Sequence, residues 1–554
     1  MKIKKALIIL PIAGVVILSL LSFSNDNRKY QLSKQITILN AILKELDLFY
    51  VDTIQPKKII NKGIDAMLTH LDPYTEYYSE EDSDDLKMLT TGKYAGIGSV
   101  IRFHKEKNTT VIASPYEGLP AAKAGLQIGD FILSINGTDI HGMGIDSVSN
   151  MLRGVAGTNV TLTIERPGEK KPRTIKITRE SIAMPAISYY GIQNDNIGYI
   201  QLESFTENCA RNMRNAIIEM KNKGAQAFII DLRGNGGGLL NEAVEIVNLF
   251  VPKNLTIVTT KGKIKQANNT YKTNKEPLDT VSPLAILVNG QSASAAEIVA
   301  GSLQDLDRAV VIGTRTYGKG LVQTTRQLPG GSFLKITTSK YYIPSGRCIQ
   351  ALDYSHLIED GKSSRIPDSL TTVFHTAAGR EVRDGGGIRP DIEPKEEELS
   401  TLLFYLVQDM AIFDYATKYR LQHTAIAAPE EFTLTDEEYN EFKSFLKSKN
   451  FSYDIESLKI LDRLKKMIEL EGFTQITEEE ITSLEKKLQT NIDHLLQHFS
   501  KQIKEIVANE IVQRYHGQKG GIIFSLREDI DIKTAYDILT DSEEYKKTLT
   551  PSKK

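Results

Sequence analysis

The feature that most constrains this chain is a set of short, uninterrupted apolar runs, each followed by glycine and, for two of the three, then by a helical pattern. Leu284 to Val288 reads LAILV, Gln226 to Asp231 carries a second run, and Ala309 to Ile312 a third. A strand with one face in water alternates apolar and polar residues, so runs without alternation call for burial on both faces. Strands of this kind interleaved with helical segments define a layered α/β core with mostly parallel pairing. The length of 554 residues leaves room for three or four domains. A formal net charge of −2 offers no basic field for nucleic acid, and Cys209 and Cys348 are too few for a disulfide framework or a zinc cluster.

The turns after these runs carry the chemistry. Asn289-Gly290 breaks the first run, and Ser292-Ala293-Ser294 leads into a helical pattern from Ala295 to about Leu303. A serine at the start of a helix sits beside free backbone N–H groups and positive potential, which suit a developing oxyanion. The run ending at Ile312 is closed by Gly313 and followed by Tyr317-Gly318-Lys319-Gly320. Glycines on both sides let the backbone bend so that the lysine faces inward, where an apolar pocket lowers its proton affinity and makes it a base. The residues thus read as a serine nucleophile with a lysine base. A lone serine here would be a helix N-cap, and the Gly-Lys-Gly partner argues against that plainer role. Ser292 half-matches a nucleophile elbow with Gly290, but the closing glycine is replaced by Ser294. The loop Asp231-Leu232-Arg233-Gly234-Asn235-Gly236-Gly237-Gly238 leads to a helical pattern from Leu239 to Phe250. It lacks the Gly-Lys-Ser/Thr of a phosphate loop and the glycine spacing of a dinucleotide loop.

NGQSASAAEIVAGSLQD followed by GTRTYGKGLVQ resembles the active-site signature of the carboxyl-terminal processing peptidases, or tail-specific proteases. The resemblance implies that Ser294 is the nucleophile, Lys319 its base, and Gln323 the residue that orients the lysine. DLRGNGGG is similar to the family's DLRxNxGG stretch, which implies oxyanion donors at Gly237, with Gly236 its competitor, and at the N–H of Ala295. Family members often have proline where Gly236 stands. The family implies a crotonase- and Clp-protease-like core of βαβ units. The order of elements from Thr91 to about Glu180, with GLPAAKAGLQIGDFILSINGTDI and an Asn136-Gly137 hairpin signal, resembles a PDZ domain. That likeness puts Gly96, Ile97 and Gly98 in the carboxylate-binding loop, so that a free chain terminus adds as a strand to the sheet edge. Arg153, at the end of the domain's last helix, either reports on the bound tail or is a solvated surface charge, and the surface reading is favoured. LDPYTEYYS resembles the leader before that domain and by itself is a helical cap; His70 reads as a helix-end residue.

The expected architecture is a multidomain α/β protein. Residues 1–24 are a signal peptide or membrane anchor, 25–90 an N-terminal helical region, and 91–180 an inserted PDZ domain. Residues 181–396 form the peptidase core, and 397–554 a C-terminal helical region. Met1 to Lys5 is a basic flank and Ala6 to Leu21 an uncharged apolar run, so the body is exported to the periplasm or envelope, and membrane contact is confined to this segment. From Ser400 onward the pattern is helical and charge-rich, with a capping signal at Thr433. These helices read equally as a bundle packed on the core and as a surface for an adaptor protein or a second copy. Lys547 to Lys554 reads as a polar tail. Ser332/Lys335 and Ser444/Lys447 match a penicillin-binding pattern by letter only, since the companion motifs are absent. No cofactor or metal is called for, and the nearest histidines downstream are His356 and His375. The function implied is an exported serine endopeptidase acting on proteins with free apolar C-termini. A PDZ scaffold with a decayed core is the rival, and a cytosolic Clp-like chamber is opposed by the export signal and the missing ATP motif.

Overall fold

The computed structural model describes residues 27–80, 86, 88, 91–193, 196–354, 364–395, 399–451, 456–488 and 492–551. The apolar run 6–21 lies outside them, and among the described residues no helix is long and apolar enough to cross a membrane. The chain divides into two compact units.

The smaller unit comprises residues 1–79, 324–337 and 359–361. Its described part opens with a helix over 27–49 and a second helix, Pro56–Thr69, started by proline at a position where the missing N–H costs nothing. The expectation of helix throughout this region fails at LDPYTEYYS. Asp72 accepts hydrogen bonds from the Tyr74 and Thr75 amides, both at 2.8 Å, and from the Thr75 hydroxyl at 2.9 Å. This side-chain turn ends the helical path and releases Glu76–Tyr78 as a strand, antiparallel to Phe333, Leu334 and Lys335. Tyrosines favour such a pleated surface, so the segment is a sheet edge rather than a cap.

In the larger unit, strands Ser99–His104, Thr109–Pro115, Phe131–Ile135, Asn159–Glu165 and Arg173–Thr178 form an antiparallel sheet in that spatial order. Ser99–His104 is an edge. Asn136 and Gly137 both have positive φ, 51° and 82°, which closes the Asn-Gly hairpin between Ile135 and Thr138. Helix Ile145–Leu152 buries Val148 and Leu152 against Ile112, Ile132, Ile135 and Leu162.

The α/β core is a five-stranded sheet in which Ile197–Leu202, Ala227–Asp231, Leu284–Val288 and Val310–Gly313 run parallel. Ile187–Gln193 closes one edge antiparallel. Helices Cys209–Asn222, Leu240–Asn248 and Ala295–Asp305 cover one face through residues such as Phe228, Ile230, Ile286 and Val311. The other face, with Ile229, Leu287, Val310 and Ile312, is covered by Ile532, Ala535, Ile538 and Leu539 of helix Ile530–Thr540. The absence of alternation in these strands is thereby explained: the second cover comes from the far end of the chain.

Helices Thr401–Gln408, Ala411–Gln422, Asp436–Ser448 and Ser500–Ser525 make a further core around Leu406, Tyr415, Phe442 and Ile511. The cap of helix Asp436–Ser448 is Thr435, not Thr433: Thr435 and Glu438 exchange side-chain-to-backbone hydrogen bonds. The polar stretch up to residue 551 also carries regular structure, and residues 552–554 lie outside the described ones. Ser542–Thr548 is a helix whose Tyr545 hydroxyl accepts from the Leu284 amide at 3.1 Å.

Candidate active site

The carboxyl ends of Ala227–Asp231 and Leu284–Val288 are neighbours in register, with Asp231 opposite Leu287, so the glycine loop and the serine turn leave the sheet side by side. In the serine turn the two serines have opposite fates. Ser292 is wholly buried; its hydroxyl donates to the Leu232 carbonyl at 2.7 Å and accepts from the Asn289 amide at 2.9 Å. Ser294 is half-buried, with φ 56° and ψ −114°, outside the regions an L-residue ordinarily occupies. Such backbone costs about 1–3 kcal/mol and persists only where surrounding bonds impose it. The strained elbow is therefore at Ser294, at the N-terminus of Ala295–Asp305, and Ser292 is a structural bracket beneath it.

Three sets of bonds impose that conformation. The Ala293 amide donates to the Asn235 carbonyl at 2.9 Å, tying the turn to the glycine loop. The Tyr317 amide donates to the Ser292 carbonyl at 3.1 Å, tying it to the lysine loop. The third is Glu297, wholly buried in the first turn of the helix. Its Oε2 accepts from the Ser294 amide at 2.8 Å and the Lys319 amide at 2.9 Å. Its Oε1 accepts from the Gly318 amide at 2.7 Å and the Thr316 hydroxyl at 2.5 Å. Burial pushes this carboxyl up, and those four donors pull against it.

The glycines flanking Lys319 are required by crowding. Gly318 has φ 88°, and a Cβ there would lie 2.3 Å from that of Ala351; one on Gly320 would lie 2.8 Å from the Gln350 amide. Lys319 is half-buried between them, and Gln323 is half-buried in the strand that follows, Leu321–Gln327.

The glycine loop approaches Ser294 closely. Gly237 has φ 99°, and a Cβ there would lie 2.8 Å from the Ala293 carbonyl oxygen and from Ser294 Cβ, and 3.0 Å from the Ala295 amide. Ala295 opens its helix, so its N–H has no preceding-turn carbonyl to bond. The Gly237 amide, by contrast, donates to Asn235 Oδ1 at 2.8 Å, while Asn235 Nδ2 donates to the Leu202 carbonyl at 2.7 Å. Gly236 has nothing within 4 Å of its hypothetical Cβ, so the turn leaves room there for a ring such as proline's. Arg233 enters the same loop as a link to the end of the chain: it pairs with Asp231 at 2.7 Å, Asp529 at 2.8 Å and Asp531 at 3.1 Å.

Histidine 375 is exposed on Val373–His375, and residue 356 lies outside the described segments. Among the described residues no cluster of three or more His, Cys, Asp or Glu could hold a metal ion.

In the PDZ region a cavity of about 200 Å³ lies beside the edge strand, lined by Ile97, Gly98, Ile101 and Tyr116, with Leu152 and Arg153 opposite. The Ile97 carbonyl accepts from Ala121 at 2.7 Å and the Gly98 carbonyl from Tyr116 at 3.1 Å, which fixes the turn before the strand. Gly96 is set back from the cavity; a Cβ on it would lie 2.9 Å from the Tyr94 ring. Arg153 is not a solvated surface charge. It is half-buried in the cavity wall with its guanidinium 5.6 Å from the Tyr94 ring centre. Burial pushes the Tyr94 and Tyr116 hydroxyls up, so both stay neutral at ordinary pH.

Sequence reasoning missed Glu297, although Ser294-x-x-Glu297 has the spacing of a capping box, a signal legible from the residues alone. Arg233 and its aspartates had no such signal, because partners so distant in the chain leave no spacing to find.

Residues 196–355 match the model of peptidase family S41, residues 111–166 a PDZ domain, and residues 402–539 the probable PDZ-protease C-terminal helical domain. The chain is 37% identical over 342 residues to a carboxy-terminal-processing protease of Bartonella bacilliformis, covering 61% of this chain and 77% of that one. It is 34% identical over 361 residues to a probable CtpA-like serine protease of Staphylococcus epidermidis, covering 63% and 72%. A solved photosystem II D1 C-terminal processing protease is 28% identical and covers 59% of this chain and 85% of that chain, with a TM-score of 0.34. With its strained serine elbow, Gly-Lys-Gly loop and these relatives, the chain belongs to the carboxy-terminal-processing proteases, serine peptidases of family S41.

Proposed function

We propose that this peptidase is an exported endopeptidase that cuts with a Ser294–Lys319 dyad and selects substrates by their free, apolar C-terminal tails. The observation that carries the reading is the shared oxygen of Glu297, which bonds the backbone of both Ser294 and Lys319 and so holds the serine elbow against the lysine loop. Neutral Lys319 takes the Ser294 proton as the hydroxyl attacks the peptide carbonyl, then returns it to the leaving amine; water releases the acyl-enzyme with Lys319 again as base. Gln323 orients the lysine. The oxyanion accepts from the Ala295 N–H and from Gly237, with Gly236 the second candidate. Because the Gly237 amide is engaged by Asn235, using it requires Asn235 to share or release that bond. A tail entering the PDZ cavity extends the sheet at Ser99–His104, its carboxylate meeting the turn at Gly96, Ile97 and Gly98 and its apolar side chains filling the pocket.

The basic, then apolar, N-terminal stretch supports export to the periplasm or envelope, with an anchor role confined to that stretch. Substrates are then envelope proteins with exposed tails; adaptor binding and self-association are assigned to the C-terminal helices. Activity is expected to rise with pH as the lysine loses its proton. Cleavage of an unstructured peptide by Lys319→Ala and Ser294→Ala variants tests the dyad: both should be inactive, and full activity of either rejects it. Amidating the peptide's terminus should slow cleavage sharply; an unchanged rate rejects tail selection.

A further inference from the structure

Glu297 is the one wholly buried carboxylate of the helix start, and the four donors placed on it are all neutral. A buried acid without a paired cation is costly, and a glutamine of the same size would fill the space with less desolvation. What glutamine cannot do is accept on both ends, since its amide nitrogen would face N–H groups that have no lone pair to offer. The arrangement needs an all-acceptor group. One oxygen bridges two backbone amides 25 positions apart, those of Ser294 and Lys319. The other oxygen accepts from the Thr316 hydroxyl and the Gly318 amide; the Thr316 hydroxyl also accepts from the Ile388 amide at 2.7 Å. Tyr341 reaches the same two loops, its hydroxyl donating to the Ser294 carbonyl at 3.2 Å and its amide to the Gly320 carbonyl at 2.9 Å, whereas Glu297 joins the amides of Ser294 and Lys319 themselves on one oxygen.

We propose that Glu297 is the positioning residue of this protease, a carboxylate clamp that sets the register between the serine elbow and the lysine loop. This rests on the Ser294–Lys319 reading. The Glu297 carboxylate acts through the two backbone amides it accepts from. A mispositioning near 1 Å costs about a hundredfold in rate, so losing the clamp should fall on kcat, with KM set elsewhere.

The test compares Glu297→Gln, Glu297→Asp and Thr316→Val in the full-length protein with Ser294→Ala and Lys319→Ala, measuring kcat, KM and thermal midpoint on one peptide. Glu297→Gln should lower kcat about a hundredfold with KM within twofold of wild type. Thr316→Val, which removes a donor to the clamp but leaves both dyad amides bonded, should keep kcat within about fivefold even where its thermal midpoint falls as far. Glu297→Asp retains the charge with a shorter reach and should recover part of the loss. If Glu297→Gln fails to fold, Glu297→Asp against Thr316→Val carries the same comparison, with the larger kcat loss expected for Glu297→Asp at equal thermal midpoint. Wild-type kcat in the Glu297 variants overturns the clamp, as does a kcat loss that only tracks thermal midpoint across all three. Activity in Ser294→Ala or Lys319→Ala would instead overturn the dyad itself.

Discussion

The two places proposed to meet a peptide are built on opposite principles. At the carboxyl edge of the core sheet nearly every polar atom is committed: a strained serine, a buried carboxylate with four donors, and a fully buried Asn235 bracing the glycine loop. The PDZ cavity is a trough beside an edge strand, walled by Ile97, Ile101 and Leu152 together with Tyr94, Tyr116 and Arg153. A reaction that passes through a single geometry needs its groups fixed in advance, whereas tail capture needs backbone hydrogen bonds and a pocket that tolerates many side chains. Damage at the first place should appear in kcat and damage at the second in KM.

The sharpest break in that comparison is expected from Ser294→Ala and Lys319→Ala. Each should lower kcat by about 10⁴-fold or more while leaving tail-peptide affinity, measured by fluorescence anisotropy, unchanged. Gly237→Ala comes next. Its methyl would sit 2.8 Å from Ser294 Cβ at a φ of 99°, so kcat should fall about a hundredfold, checked by steady-state kinetics. Gly98→Ala works on the other side. Its methyl would lie 2.7 Å from Leu119 Cβ at φ 72°, and KM for a free-tailed peptide should rise about tenfold with kcat little altered. A kcat effect of that size from Gly98→Ala would show that the cavity controls the chemistry as well as capture. The smallest effect is expected from Asp529→Ala with Asp531→Ala. Arg233 keeps Asp231 but loses the C-terminal partners of the glycine loop, so kcat should fall only severalfold, with a thermal midpoint lowered by a few degrees.

The core was legible in the sequence because its strands are buried on both faces, and such runs admit few folds. The Asn136-Gly137 hairpin was legible for a different reason: only positive φ at both positions closes that turn. The choice of Ser294 over Ser292 came from a resemblance; the structure adds that Ser294 is a strained, half-buried elbow and Ser292 a fully bonded, buried hydroxyl. Other features were hidden by distance along the chain. The helical, charge-rich pattern after Ser400 did not reveal that Ile530–Thr540 closes the second face of the sheet. Arg153 looked like a helix-end charge until the packing of Tyr94 against it placed it in a cavity wall. The strand Glu76–Tyr78 was masked by its position after a helix, since its pairing partner stands more than 250 residues away.

The most direct test of the account is to trap the acyl-enzyme of the wild-type protein and of Lys319→Ala and locate the acyl group by peptide mass spectrometry. The account predicts an acyl group on Ser294 in the wild type and none in Lys319→Ala over many wild-type turnover times. Acylation of Ser292, or of Ser294 at the same rate without Lys319, would contradict it.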